Sequence, residues 1–184
     1  MTLNHRVAAR RTAWIAVLTA AAILFSFAFA CATPFPALAA LAALHLRKSD
    51  ALALTGIAWV ANQAIGYGLL GYPQTLDSFA WGGVIGVSAF AATAAAFGAE
   101  SFTRRAGRLV AATVSFAAAF TVYESALYSA TVFLSSMPEA FSVAVVMYIL
   151  RVNAFAFIAL SLVQGLAYSL GWAVGDTDRK PAAA

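Results

Sequence analysis

The segment Cys31-Ala32-Thr33-Pro34-Phe35-Pro36-Ala37-Leu38-Ala39-Ala40-Leu41-Ala42-Ala43-Leu44-His45-Leu46-Arg47-Lys48 decides how the rest of the chain is read. Its apolar run, 37–46, is too short alone for a bilayer core about 30 Å thick, which needs roughly 20 helical residues. Two prolines precede the run and two basic residues follow it. If it crosses, with 31–36 and His45 completing the passage, the crossings are even in number. If it does not, every later connection changes side.

Charge placement answers the question. Five longer apolar runs accompany the short one, at about 13–31, 51–71, 79–98, 109–134 and 141–170. The 11 Lys and Arg residues fall in four clusters with one exception, Arg151. Arg6, Arg10 and Arg11 precede the first run, and Arg47 and Lys48 follow the short one. Arg104, Arg105 and Arg108 lie between the runs 79–98 and 109–134, and Arg179 and Lys180 close the chain. The connections 32–36, 72–78 and 135–140 contain no basic residue, only Asp77 and Glu139. Every second connection is therefore basic, provided that 37–46 crosses. The positive-inside rule then puts both termini in the cytoplasm. The expected fold is all-α: a polytopic bundle of six transmembrane helices, at about 12–32, 34–46, 51–71, 79–98, 108–135 and 140–172. It forms a single transmembrane domain over 1–184, in the cell (inner) membrane.

Composition agrees. The 184 residues are 63% hydrophobic and 10% charged, with mean hydropathy +0.86, whereas soluble chains carry about a quarter charged residues. Soluble enzymes, disulfide scaffolds, disordered tails and nucleic-acid modules are excluded. The lone Cys31 cannot form an internal disulfide. Trp14 and Trp172 fall at the inner boundary and Trp81 at the outer one, as aromatic belts do. Basic residues, an apolar stretch and Ala28-Phe29-Ala30 imitate a secretory signal with its cleavage site. Cleavage would leave five spans and break the charge alternation, so a retained first helix is expected.

Polar residues inside a bilayer are costly and face the bundle interior or a cavity. Two are ionisable. Glu124 and Arg151 lie at similar distances on either side of the outer turn at Met137-Pro138. In an antiparallel hairpin that places both about 20 Å along the helix from the turn, and an ion pair between them is expected. It either pins two helices or serves a ligand. Thr121, Glu124 and Tyr128 share a helical face, as do Tyr148 and Arg151. Trp59, Asn62, Gln63 and Gly66 form a second stripe at offsets 0, 3, 4 and 7, which is either interhelical glue or a pocket wall. Tyr67, Tyr72, Gln74 and Trp81 lie beyond it, toward the outer side. The expected substrate-binding set is Trp59, Asn62, Gln63, Tyr67, Glu124, Tyr128, Tyr148 and Arg151.

The remaining features point less far. Asn153, Gln164 and Tyr168 share one side of the last span and read as packing residues. Gly82-x-x-x-Gly86 and Ala16-x-x-x-Ala20 permit close backbone approach. His5 and His45 sit near the cytoplasmic face without the companions a metal or haem site needs. No cofactor is expected. Walker, H-E-x-x-H, G-x-S-x-G and dinucleotide motifs are absent from the sequence, and an enzyme is not expected.

In size, in its six-helix pattern and in Ala16-x-x-x-Ala20, the chain resembles the substrate-binding S-components of energy-coupling factor vitamin transporters. The resemblance implies a six-helix bundle with cytoplasmic termini. It also implies a vitamin bound near the outer side, and a first helix that docks a transmembrane coupling subunit served by ATPases. The first expectation is thus a membrane-embedded subunit that captures a small vitamin-like or heterocyclic solute from outside. The alternative is an accessory or assembly subunit of a larger membrane complex. An intramembrane enzyme comes last. The bilayer itself is a partner; nucleic acid is not.

Overall fold

The computed structural model describes residues 33–134 and 138–169, together with Ala13, Ala16, Val17, Ala20 and Ala21. The elements are α1 (Phe35–His45), α2 (Lys48–Gly68), α3 (Leu76–Thr103), a 3-10 turn (Arg104–Ala106), α4 (Arg108–Ala130), a second 3-10 turn (Pro138–Phe141) and α5 (Val143–Ser169). Among the described residues there is no strand, and three helices are long and apolar enough to cross a membrane: Leu76–Ala106, Arg108–Ala130 and Val143–Ser169. The chain is an all-α membrane helical bundle. Most of the first expected span lies outside the described residues, as do Trp14, Trp172, His5, Cys31, the signal-like Ala28-Phe29-Ala30 and both terminal basic clusters.

The short run 37–46 becomes α1, and α1 is the centre of the bundle. A helix apolar on every side must be buried on every side, and every residue from Phe35 to Ala43 is buried. The other four helices all pack around it. Its 11 residues make a rod about 16 Å long, half the thickness of a hydrocarbon core. Thr33 and Pro34, expected to lengthen the passage, are not helical.

A helix that begins inside a bundle leaves orphan amides where no water can satisfy them. The sequence around α1 removes or occupies each one. Pro36 has no N–H to satisfy. The amide of Phe35 donates to the Thr33 carbonyl at 2.8 Å and that of Leu38 to the Pro34 carbonyl at 3.0 Å. The Ala37 amide remains, and Asn153 of α5 supplies its acceptor: Ala37 N donates to Asn153 Oδ1 at 3.3 Å. Asn153 is completely buried, and its Nδ2 donates to the Ile149 carbonyl at 3.1 Å, which fixes the orientation of the amide.

At the other end of α1, His45 Nδ1 lies 3.0 Å from the Leu41 carbonyl and Nε2 lies 3.1 Å from Arg108 Nη2. Guanidinium only donates, so Nε2 is the acceptor and Nδ1 carries the proton. This contact joins the basic connection Arg47–Lys48 to the basic connection 104–108 at one end of the bundle, as the charge alternation requires of those two clusters. Between α3 and α4 the tight turn passes through Gly107 at φ +108, a conformation that L side chains rarely adopt. The two helices then make the most extensive contact in the bundle, and both are rich in buried small residues: Ala89, Ala92, Ala96, Ala111 and Ala119 are all 3% exposed or less. In lipid such packing replaces the hydrophobic effect as the force between helices.

Candidate functional site

The stripe on α2 is packed into α3. Trp59 Nε1 donates to the Gly82 carbonyl at 2.8 Å, and its indole fills the space over Gly86. A Cβ on Gly86 would come within 2.8 Å of the ring. Gln63 lies against Gly82 in the same way. The small-residue pattern Gly82-x-x-x-Gly86 is thus the groove that receives the ridge of α2. Asn62 is buried and donates from Nδ2 to Thr33 Oγ1 at 2.6 Å, while Gln63 Nε2 donates to Asn62 Oδ1 at 2.9 Å. Tyr67 donates its hydroxyl proton to the Ser78 carbonyl at 2.8 Å, with its ring between Tyr72 and Phe79. Gly66 leaves room for the Tyr72 ring. These four predicted site residues, Trp59, Asn62, Gln63 and Tyr67, form one continuous set, and they bond to protein groups.

About one turn from Trp59 toward the basic end, Thr55 and Thr93 share a hydrogen bond at 2.8 Å. Each hydroxyl also contacts its own helix, at the Ala51 and Ala89 carbonyls. Thr55→Val is expected to destabilise the fold by about 1 kcal/mol, as the loss of interhelical bonds in membranes does. The double variant Thr55→Val/Thr93→Val is expected to cost little more than the single, because the bond between the helices is already lost and the Thr93 hydroxyl of the single keeps the Ala89 carbonyl as its acceptor. Reversible unfolding of the singles and the double in mixed micelles reads this directly.

Glu124 and Arg151 do not pair. Both Glu124 carboxylate oxygens are buried and have no hydrogen-bonding partner among the described residues, while Arg151 is exposed on the outer face of α5. Equal distances from a turn set height and leave rotation free. Rotation of α5 is fixed by its buried residues Val152, Asn153, Ala156, Leu160 and Gln164. Arg151 stands two residues from Asn153, about 200° around the helix, and so points away from the core. Moreover α5 packs mainly on α1, with little contact with α4.

The other members expected beside the pair are also on the outside. Tyr128 is 63% exposed and Tyr148 50%, and the Tyr128 ring meets Phe141 edge-on. Thr121 is exposed too. Of the expected face on α4, only the Glu124 carboxylate turns into protein. Asn153 and Gln164 are buried, as packing residues should be, whereas Tyr168 is exposed.

What surrounds Glu124 was not legible from spacing. The preceding residue, Tyr123, is buried and packs its ring on Phe35, centroids 6.0 Å apart. Phe35 is in the first turn of α1. Glu124 is the next residue of α4, about 100° further round the helix, and so lies near the level of the N-terminal end of the half-length helix. A scan against protein-family models and searches of curated proteins and of solved structures return no match.

Proposed function

We propose that this chain is the membrane-embedded solute-binding subunit of a transport system. It takes a small vitamin-like or heterocyclic solute from the outer side and delivers it inward with partner subunits. The observation that carries the reading is the Glu124 carboxylate, buried without a partner among the described residues, near the end of a half-length helix inside the bundle. Ionisable groups inside membranes mark solute and ion pathways, and interrupted helices that end near the midplane are where secondary transporters hold their solutes. The bonded wall of Trp59, Asn62, Gln63 and Tyr67 supplies ring surface and amides on the α2–α3 side. Tyr128, Tyr148 and Arg151, on outer faces, fit a partner or a lipid headgroup.

The charge alternation supports six crossings with both termini cytoplasmic, in the cell (inner) membrane. Active uptake would draw on ATPases, through a transmembrane coupling subunit. The exposed positions Ala16 and Ala20 suit such a docking helix. A thermal-shift screen of small heterocycles and vitamins on the full chain in detergent tests the reading. A genuine solute present at about 100 times its Kd stabilises the fold by about 2.7 kcal/mol. Glu124→Gln is expected to melt as the parent does and to lose that response. A solute that stabilises both proteins equally would place the site elsewhere.

The second reading, an accessory or assembly subunit, is favoured by one observation: the α2 stripe is already bonded within the protein. It predicts a stoichiometric membrane partner that copurifies, and no solute response in the same screen.

A further inference from the structure

We propose that Glu124 is a proton-exchanging carboxyl of the membrane interior, protonated in this conformation and open to exchange with water when the bundle rearranges. This deepens the transport reading and rests on it for its purpose. Three observations support it. Both Glu124 oxygens are buried and unpartnered among the described residues. Among those residues nothing basic meets them: Arg151 is turned outward on α5, and His45, the titratable residue of α1, is held at the opposite end by Arg108. On α3, Asp77 and Glu100 lie near its two ends, and on α4 itself the neighbours are Tyr123, packed on Phe35, and Tyr128, exposed.

The third observation is Ser88. Its hydroxyl is also buried without a partner among the described residues, on the helix that packs most extensively against α4. Ser88 stands 19 residues before Gly107 and Glu124 stands 17 after it, a difference of about 3 Å in rise along two antiparallel helices. A second unsatisfied polar group therefore lies on the neighbouring helix at nearly the same depth.

An ionised carboxylate with neither counter-charge nor donor is strongly disfavoured in a dehydrated interior, and the group neutralises instead. The neutral carboxyl then has a proton to give. The exchange is Glu124–COOH + S⁺ → Glu124–COO⁻·S⁺ + H⁺, where S⁺ is a solute bearing a positive charge. No electrons move and one proton leaves for each cation held. The same carboxylate that releases the proton thus favours cationic solutes over anionic ones.

The test uses the full chain in liposomes and dicyclohexylcarbodiimide, an apolar reagent that takes the proton of a neutral carboxyl onto nitrogen and is then attacked at carbon by the carboxylate, leaving a stable N-acylurea. A single adduct at Glu124 is expected by peptide mass mapping, absent from Glu124→Gln and falling in rate as the pH is raised. Infrared difference spectra of parent minus Glu124→Gln should show a protonated carboxyl C=O band that shifts in D2O. No adduct at Glu124 together with no such band would overturn the proposal, as would labelling and a band indifferent to pH and to D2O. Neither measurement needs a transported solute. Labelled Glu124 with an empty solute screen would sink the transport reading and leave the proton site standing; a solute response with an inert Glu124 would do the reverse.

Discussion

Gly86→Ala is expected to destabilise the bundle by about 1–3 kcal/mol, the usual cost of overpacking a well-filled interior, although alanine is the better helix former by about 1 kcal/mol. A methyl at this position meets the Trp59 indole at 2.8 Å. That ring cannot simply rotate away, because its Nε1 is anchored to the Gly82 carbonyl. Either the hydrogen bond breaks or α2 and α3 move apart. Gly82→Ala provides the comparison. Its methyl would meet the carboxamide oxygen of Gln63, the far end of a flexible side chain that can rotate aside at the cost of its bond to Asn62 Oδ1, without moving either helix. The smaller effect is therefore expected at Gly82, and the order of the two losses by reversible unfolding in micelles is the check. Equal losses would mean that the indole does not occupy the groove. In a Trp59→Ala background the penalty at Gly86 should largely disappear, since the two residues are in contact and their effects should not add.

Asn153→Leu is the second large effect. Leucine has nearly the same size and suits an apolar interior, so hydrophobicity alone predicts little change or a gain. A loss of about 1–3 kcal/mol is expected instead, the cost of leaving a buried amide without an acceptor. The orphan would be Ala37 N–H in the first turn of α1. Asn153→Asp keeps the acceptor and, because a negative group is favoured at a helix N-terminus, should retain more stability than leucine when the carboxyl is accommodated. The readout that separates a lost cap from a packing defect is local: amide exchange at Ala37 should accelerate in Asn153→Leu, while exchange at mid-α4 follows only global unfolding. Uniform acceleration across both helices would contradict a specific cap.

The class of fold was legible because composition and span length are additive properties that do not depend on packing. The burial of α1 was legible in part. An 11-residue helix with alanine or leucine on every face cannot present a polar side to anything, whereas the charge alternation bore only on whether it crosses and not on what surrounds it. Its extent was less so: the helix starts at Phe35, and the non-helical backbone at Thr33 and Pro34 is set by how the buried amides find acceptors.

The Glu124–Arg151 pair fails for a reason that spacing does not contain. Residue counts from a turn give depth, while the azimuth of each helix comes from its other contacts. The clue was present in Asn153 and Gln164, read as one packing face; placing that face inward already puts Arg151 outside. The stripe Trp59-x-x-Asn62-Gln63-x-x-Gly66 does form one face. What it touches depended on the groove at Gly82 and Gly86, whose small-x-x-x-small spacing is too common in an alanine-rich chain to select a partner from sequence.

Everything else depends on a half-length helix sealed inside the bundle on all sides. Nuclear Overhauser contacts between lipid acyl methylenes and leucine methyls, in the native full chain in nanodiscs, test this without substitution. Leu38, Leu41 and Leu46, each under 5% exposed, should show no lipid contact, whereas Leu109 and Leu162, at 81% and 69%, should show strong ones. Lipid contacts at Leu38 and Leu41 as strong as those at Leu162 would contradict a sealed α1.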